Sequence, residues 1–316
     1  MATEPSVAAL GGGSPLRTAR RLLLATRPMF FTASVLPVLL GTAWGQRVSG
    51  RLDGDALLLA LLAIVCVHGG VNVLNDVYDE RSGTDRINMQ RIYPYTGGSR
   101  FIQNRVMSLE GMQRWGVTLL GLSLLAGAAL VALEGMPVLL FGLLGIALGI
   151  LYSMPPIQLS ARGLGETAVG IGFGVLPVTG AVWLQSGGVD AHTVLLALPV
   201  SFWVANILLI NEVPDIAADG AAGKRTLPVR IGIGGTQRLY LSLNVLAVLA
   251  VAAAVGVGAL PAAALVAPLL LMVPAAGAAR AIAAAGGRDA WLPGIKLTLA
   301  IHAVGTLWIA GWAWMG

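Results

Sequence analysis

Nine apolar runs, each about long enough to cross a lipid bilayer as a helix, constrain this chain more than any other feature of its sequence. A transmembrane helix needs roughly 20 predominantly apolar residues to cross the ~30 Å hydrocarbon core of a membrane. Charged residues make up only 11% of the 316 residues, whereas soluble domains carry about 25%. We therefore expect an all-α, multi-pass transmembrane bundle of about nine helices. The runs lie near residues 29–46, 55–75, 115–133, 136–153, 167–185, 192–211, 239–258, 261–279 and 295–315.

The remaining composition narrows the domain organisation and the class of protein. Residues 1–15 are rich in Gly and Ser and are predicted to be a disordered tail, and residues 16–316 to form a single transmembrane domain. No cleavable signal sequence is expected, because the first apolar run begins late. A disulfide scaffold is excluded, since Cys66 is the single cysteine. The net charge of only +5 argues against a nucleic-acid-binding protein.

The distribution of Lys and Arg predicts the orientation of the chain. If the N-terminus lies in the cytoplasm, eighteen of the twenty Lys and Arg residues fall on the inner side, and only Arg47 and Arg51 lie outside. Such an excess of inner positive charge is the usual signature of membrane orientation. The sequence therefore predicts a protein of the cell membrane with a cytoplasmic N-terminus and an outward C-terminus.

Two acidic motifs stand at the predicted inner ends of the second and sixth spans. On continuous helices, the Asn and Asp residues of each motif would share one face. The motifs lie 139 or 140 residues apart, position by position, which indicates an internal duplication of a helix set. Repeats in membrane proteins tend to place the functional site at their interface. The positions are Asn72, Asp76 and Asp79 in the first motif, and Asn211, Asp215 and Asp219 in the second.

The two motifs have the chemistry of a divalent-cation site. Several carboxylates on one helical face repel one another unless cations bind them. Hard oxygen ligands favour Mg²⁺, which typically uses one or two carboxylates together with phosphate oxygens. No His or Cys lies beside the motifs, which argues against zinc. Asp76, Asp79, Asp215 and Asp219 are therefore the predicted metal ligands and catalytic carboxylates, whereas isolated acids such as Glu110 are expected to be solvated or paired.

Basic and amide side chains near the motifs indicate a diphosphate ligand. Metal ions can bridge the acids to phosphate oxygens, while Arg and Lys bind the remaining oxygens. The stretch 96–99, Thr-Gly-Gly-Ser, could present backbone N–H groups to an anion or form an ordinary turn. A diphosphate at the mouth of an apolar bundle implies an apolar remainder, which an isoprenyl diphosphate provides. The candidate diphosphate-binding residues are Asn72, Asn75, Asn211, Lys224, Arg225, Arg27 and Arg81.

Over nearly its full length the chain resembles the UbiA superfamily of intramembrane prenyltransferases, most closely the branch that prenylates 1,4-dihydroxy-2-naphthoate in menaquinone biosynthesis. The stretches that carry the resemblance are TRPMFFTASVLPVLLGTAWG, NVLNDVYDERSGTD, YTGGSRFIQ, LYSMPPIQLSARGLGE and NEVPDIAADGAAGKRTLPVRIG.

The resemblance implies a nine-helix bundle around a central cavity, capped by cytoplasmic loops that carry both Asp motifs. It places Asn72 and the four Asp residues on the family's metal-diphosphate positions. Lys224 and Arg225 match the adjacent basic positions, and Arg27 a basic position that opens the first helix. Tyr152 matches a tyrosine at the inner end of the fourth helix and is expected to be a catalytic residue. The implied reaction is Mg²⁺-assisted ionisation of an allylic diphosphate, followed by attack of an electron-rich ring on the carbocation.

Two departures from the family pattern keep alternatives open. Gln158 stands where naphthoate-type relatives usually have Lys, and Gly220 where an Arg commonly follows the second motif. Because both remove positive charge, a terpene cyclase that uses the same diphosphate without an acceptor remains an alternative. A transporter is a second alternative, but its coupling acids are expected near the membrane midplane rather than at one face.

Overall fold

The structure is a computed structural model that describes residues 3–284 and 287–315, and every regular element in those ranges is helical. The described helices are α1 (Val7–Leu10), α2 (Pro15–Ala25), α3 (Thr32–Ser49), α4 (Gly54–Ser82), α5 (Thr84–Ile87), α6 (Leu109–Glu134), α7 (Pro137–Ser153), α8 (Gly165–Val169), α9 (Leu176–Ser186), α10 (Ala191–Asn211), α11 (Ile216–Ala221), α12 (Leu227–Gly256), α13 (Val266–Ala283) and α14 (Arg288–Met315). A wider π-helical turn, Gly170–Val175, joins α8 and α9 into one span.

The helices confirm the prediction of an all-α, multi-pass membrane protein. Within the described ranges, eight helical stretches are long and apolar enough to cross a membrane, and α7, with 17 residues, is a shorter ninth apolar helix. Each of the nine apolar runs corresponds to one of these nine stretches. Leu260 and Pro261 lie between α12 and the short 3₁₀ turn Ala262–Leu265 that leads into α13.

The outer surface of the bundle is aliphatic. Leu125, Leu140 and Val273 leave 60–73% of their surface exposed. Side chains of this kind on several different helices form a belt that lipid tails can cover. The apolar residues therefore serve two purposes, since some pack between helices and others face the membrane.

Small residues bring α3 and α9 into close contact. A methyl group on Gly41 would lie 2.3 Å from the Val178 carbonyl oxygen, and one on Gly45 would lie 2.6 Å from Gln185 Cβ. The spacing of these two glycines, four residues apart, lets two transmembrane helices approach with their backbones nearly touching. The contact holds α3 and α9 together.

The two Asp motifs do not have the same local structure. The first lies within α4, which continues to Ser82, but α10 ends at Asn211 and the chain turns before α11 begins at Ile216. The prediction that the second motif shares one face of a continuous helix is therefore wrong. Pro214 explains the break, because proline lacks an N–H group and its ring clashes with the carbonyl four residues earlier.

The N-terminal segment contacts the loop between α5 and α6. Ser6 caps α1, and the Glu4 carboxylate lies 2.9 Å from Arg91 Nε and accepts a hydrogen bond from Asn104 Nδ2 at 3.2 Å. In the described part of this segment, α1 and the contacts of Glu4 pack against the loop between α5 and α6. Residues 1 and 2 lie outside the described part of the chain.

Candidate active site

A central cavity runs along α4 and changes from apolar to polar along its length. On α4 the lining passes from Ile64, Val67 and Val71 to Asn75 and Asp79. At a helical rise of 1.5 Å per residue, this stretch covers roughly 22 Å. On α10 the same change occurs from Val204 to Asn211, so the polar ends of both helices meet at one end of the cavity. The cavity can therefore hold a molecule with one long apolar part and one charged head.

The first Asp motif is held by the loop that follows α5. Asp76 is only 2% exposed, and its Oδ2 accepts a hydrogen bond of 2.9 Å from the Ser99 backbone N–H. Its Oδ1 has no hydrogen-bond partner. Asp79, one turn further along α4, lines the cavity and forms an ion pair with Lys224. The motif thus presents one unpartnered buried oxygen and one carboxylate shared with a cation.

The second Asp motif is held mainly by the same loop, residues 88–108 between α5 and α6, which we call the first loop. Asp215 Oδ1 accepts a hydrogen bond of 2.7 Å from Asn88 Nδ2, and its Oδ2 accepts one of 3.4 Å from the Gly97 N–H. Asp219 lines the cavity, with its Oδ1 3.8 Å from Lys224 Nζ. Lys224 therefore lies between Asp79 and Asp219 and links the two motifs.

Burial changes the acidity of the second motif. Burial is the main cause that raises the pKa of Asp219 to about 7, while Lys224 opposes this rise and Asp215 and Asp79 add to it. Burial also raises the pKa of Asp215, against the hydrogen bond from Asn88. The same burial, together with the charges of Glu166, Asp219 and Asp215, raises the pKa of Glu212 well above its usual range. Asp215 and Asp219 therefore favour a bound cation, which would stabilise their ionised forms.

The glycines of the 96–99 stretch allow the loop to reach both motifs. Gly97 and Gly98 have φ values of +71° and +73°, in the left-handed region that favours glycine. A Cβ on Gly98 would lie 2.6 Å from Asp85 Oδ2 and 3.1 Å from Asp76 Oδ1. The Gly97 and Ser99 N–H groups donate to Asp215 and Asp76, so they position the protein's own carboxylates rather than standing free for an anion.

The predicted basic residues divide into two groups. Arg27, at φ +58°, lines the cavity, donates to the Tyr95 carbonyl oxygen at 2.8 Å and lies 5.0 Å from the centre of the Phe30 ring. Lys224 also lines the cavity. Arg81 and Arg225 are exposed and do not line it, and Arg81 donates instead to Gln113 on α6 at 2.7 Å. The structure therefore brings two of the four predicted cations to the site.

The amide and tyrosine residues predicted for the site all line the cavity. Asn72 Nδ2 donates to the Thr26 carbonyl oxygen at 3.0 Å, which ties α4 to the end of α2. Asn211 Oδ1 has no hydrogen-bond partner. Tyr152 lies at the end of α7, where the Ser160 hydroxyl donates to its carbonyl oxygen at 2.8 Å. These residues surround the polar end together with Asn75.

Three further residues of the site were missed by the sequence reasoning. Asn88 holds Asp215 from a loop 127 residues earlier, and no local pattern identifies it. Glu212 lines the cavity, and its position beside Asn211 was a usable signal. Glu166, only 6% exposed, lies near Glu212, and a buried acid at the start of an apolar span was its signal.

The donor set fits Mg²⁺. Among the described residues, no three His, Cys, Asp or Glu side chains are grouped around one point. Mg²⁺ does not need such a group, since it takes one or two carboxylates and completes its shell with phosphate and water oxygens. The unpartnered oxygens of Asp76 and Asn211 are hard donors of the required kind.

Comparison with known proteins identifies the family. A model of the UbiA prenyltransferase family matches residues 34–291. The chain belongs to the UbiA prenyltransferase family. One relative in this family, the UbiA prenyltransferase domain-containing protein 1 of Gallus gallus, is 31% identical over 226 residues, which cover 70% of this chain and 65% of that protein. The chain thus spans slightly less than two thirds of that relative.

One further relative and one solved structure are similar to this chain. The 1,4-dihydroxy-2-naphthoate octaprenyltransferase of Bacillus subtilis (strain 168) is 28% identical over 214 residues, 68% of this chain and 67% of that protein. A UbiA homolog from Archaeoglobus fulgidus, whose solved structure is bound to GPP and Mg²⁺, has a TM-score of 0.61 at 18% identity. That match covers 92% of this chain and 99% of the other.

Proposed function

We propose that this protein transfers an isoprenyl group from a prenyl diphosphate to an aromatic acceptor within the membrane, in a Mg²⁺-dependent reaction. The observation that carries the proposal is the cavity lining, which changes along α4 from Ile64 and Val71 to Asn75 and Asp79, with Lys224 between the two Asp motifs. An amphiphile with a diphosphate head matches this division of the cavity.

The residues of the chain would divide the work between binding and protection. Arg27 and Lys224 would bind diphosphate oxygens, and the Asp residues of the two motifs, Asp76 and Asp79 in the first and Asp215 and Asp219 in the second, would hold Mg²⁺ ions. When bound, Mg²⁺ supplies charge neutralisation for the departing diphosphate. The apolar wall excludes water, which would otherwise quench the allylic cation to an alcohol. The rings of Phe30, Tyr95 and Phe173 line the same cavity and can stabilise that cation.

The first acceptor to consider is 1,4-dihydroxy-2-naphthoate, because the Bacillus subtilis relative carries that substrate in its name. The protein would then serve menaquinone biosynthesis. The departures at Gln158 and Gly220 weigh little against a transferase, since neither residue lines the cavity. The alternative terpene cyclase therefore loses the observation that favoured it and becomes an outcome of the test.

The orientation belongs to the same proposal. We infer that the protein lies in the cell membrane with its N-terminus and the mouth of the site in the cytoplasm. The bias of eighteen inner Lys and Arg residues against two supports this direction. The test introduces a cysteine by Gly223→Cys, at an exposed position beside the mouth of the site, and adds a membrane-impermeant thiol reagent outside sealed cells. Labelling of residue 223 from outside would contradict the orientation.

Product analysis tests the proposed reaction. Protein in detergent is incubated with Mg²⁺, a prenyl diphosphate and a panel of hydroxylated aromatic rings, and products are identified by mass spectrometry. Prenylated ring and diphosphate should appear together, and both should disappear in EDTA. A cyclised hydrocarbon formed without any ring would replace the transferase with the cyclase, and full turnover in EDTA would overturn the metal site.

A further inference from the structure

One buried carboxyl group, that of Glu212, lies on the cavity wall beside the residues already assigned, and a second, that of Glu166, lies next to it outside the lining. Glu212 directly follows Asn211 at the end of α10 and lines the cavity. Glu166 lies in α8, which packs against α10, and its carboxyl group is within hydrogen-bonding reach of the Glu212 carboxyl. Both residues are more than nine-tenths buried, with exposed fractions of 6% and 8%. They form a polar patch that the proposed metal and diphosphate chemistry does not use.

The oxygens of this patch lack hydrogen-bond donors. Neither Oε1 nor Oε2 of Glu166 has a partner, and the same holds for Oε2 of Glu212. A proton shared between the two groups would satisfy one oxygen on each side and leave the second oxygen of Glu212, on the cavity wall, without a donor among the described hydrogen bonds. Since a buried acceptor without a donor is costly, the patch is suited to a bound molecule that brings O–H or N–H groups.

The proposed reactants have three parts: a diphosphate, a hydrocarbon chain and an acceptor ring. The chemistry of the patch excludes the first two as its ligand. A diphosphate would be repelled by the acidic pair, and a hydrocarbon chain would leave the carboxyl oxygens unsatisfied. The part that remains is the acceptor ring, whose phenolic hydroxyl groups are hydrogen-bond donors. Tyr152 also lines the cavity and offers a flat face to a ring.

We propose that Glu212, supported by Glu166, forms a hydroxyl-binding subsite that accepts a hydrogen bond from a phenolic O–H group of the aromatic acceptor. This inference rests on the proposed prenyl transfer. It also adds a specificity: a ring that carries a carboxylate must direct that group away from the acidic pair, and a ring whose hydroxyl groups are methylated binds poorly. The pair is thus a determinant of acceptor choice and not of diphosphate binding.

A comparison of acceptors tests the subsite. The wild type and the Glu166→Gln/Glu212→Gln double variant are assayed with one prenyl diphosphate and with 1,4-dihydroxynaphthalene, 1,4-dimethoxynaphthalene and 1,4-dihydroxy-2-naphthoate. In the variant, the preference of kcat/KM for the dihydroxy over the dimethoxy ring should fall about 10- to 100-fold. The KM for the prenyl diphosphate should stay within about twofold. Because both enzymes see the same rings, differences in intrinsic ring reactivity cancel from this ratio.

The carboxylated ring gives an independent readout. Replacement of the acidic pair by amides should improve kcat/KM for 1,4-dihydroxy-2-naphthoate relative to 1,4-dihydroxynaphthalene, because the repulsion of the ring carboxylate is removed. The single variant Glu166→Gln should change both ratios in the same direction, and it keeps the test available if the double variant does not fold. The matched control is Glu110→Gln, an exposed acid on α6.

The outcomes separate the subsite from the proposed function. If the wild type prenylates none of the rings under conditions that give diphosphate release, both the transfer reaction and the subsite are wrong. If it prenylates them and the variants keep the wild-type preferences, the subsite alone is wrong. An increase in the Mg²⁺ concentration for half-maximal rate, with unchanged acceptor preferences, would assign the pair to the metal and also overturn the subsite.

Discussion

The first Asp motif is carried by one continuous helix, whereas the second is divided among three elements. Asn72, Asp76 and Asp79 all lie on α4. Asn211 ends α10, Asp215 precedes α11, and Asp219 lies within α11. Nearly equal spacing in the sequence therefore corresponds to two different local structures. The first motif is positioned by its own helix, and the second has to be positioned by its neighbours.

The supporting contacts run in both directions between the halves of the chain. Asn88 and Gly97 of the first loop donate to Asp215 in the second motif. Lys224, which follows the second motif, forms an ion pair with Asp79 in the first. The comparison teaches that the second motif depends on the first loop for its geometry, while the first depends on the second half mainly for a counter-charge.

The largest expected effect tests whether both motifs are needed despite this difference. Asp76→Asn and Asp215→Asn each replace a proposed metal ligand by a neutral amide, and each should lower kcat/KM more than about 100-fold. Diphosphate release at saturating Mg²⁺ is the measurement. Asp55→Asn, an exposed acid at the opposite end of α4, is the control and should retain activity. Near-normal activity in either motif variant would remove that motif from the metal site.

The next effect separates backbone strain from the fit of the first loop. Gly98→Ala places a Cβ 2.6 Å from Asp85 Oδ2 at a φ of +73°, whereas Gly187→Ala has the same strain, at φ +71°, with open space around it. Both should lose about 1 kcal/mol of stability. Only Gly98→Ala should also lose activity, by about tenfold or more, because the loop that holds both motifs must move. Equal activity in the two variants would show that the loop does not position the carboxylates.

The same comparison explains how far the sequence could predict this structure. The helices follow from apolar runs, and the two Asp motifs could be placed at one end of the bundle because each ends a run. Pro214 was a visible signal against a continuous second helix, but the regular spacing of Asn211, Asp215 and Asp219 favoured the wrong interpretation. Asn88 and Glu166 could not be found by spacing, since their contacts depend on how distant helices pack.

A smaller effect addresses the dependence of the second motif on the first loop. Asn88→Ala removes the 2.7 Å hydrogen bond to Asp215, and loss of a group that orients a metal ligand typically weakens metal affinity about 10- to 100-fold. We expect the Mg²⁺ concentration for half-maximal rate to rise about tenfold, with little change in the maximal rate.

The control for that effect is a residue of the same loop that faces the N-terminal segment and not Asp215. Asn104→Ala removes contacts to the N-terminal segment only, so its Mg²⁺ requirement should match the wild type. In an Asp215→Ala background, Asn88→Ala should have no further effect, because the acceptor oxygens are already gone. A full additional loss there would show that Asn88 acts elsewhere.

The smallest effect concerns the contacts that Glu4, in the N-terminal segment, makes with Arg91 and Asn104 of the first loop. Burial by itself raises the pKa of Glu4, but hydrogen bonds from Arg91 and Asn104 outweigh it and hold the pKa below its usual value. These contacts therefore stabilise the fold at neutral pH, and the stabilisation is lost as the pH falls below the usual glutamate range.

Glu4→Gln should cost less than about 1 kcal/mol of stability at pH 7, because the pair of Glu4 and Arg91 is partly exposed. The thermal midpoints of variant and wild type should converge in acid, and Glu110→Gln, at a fully exposed pair, should show a still smaller difference. If Glu4→Gln instead raised the Mg²⁺ requirement as Asn88→Ala should, the loop would act as one rigid unit and its two sides could not be distinguished.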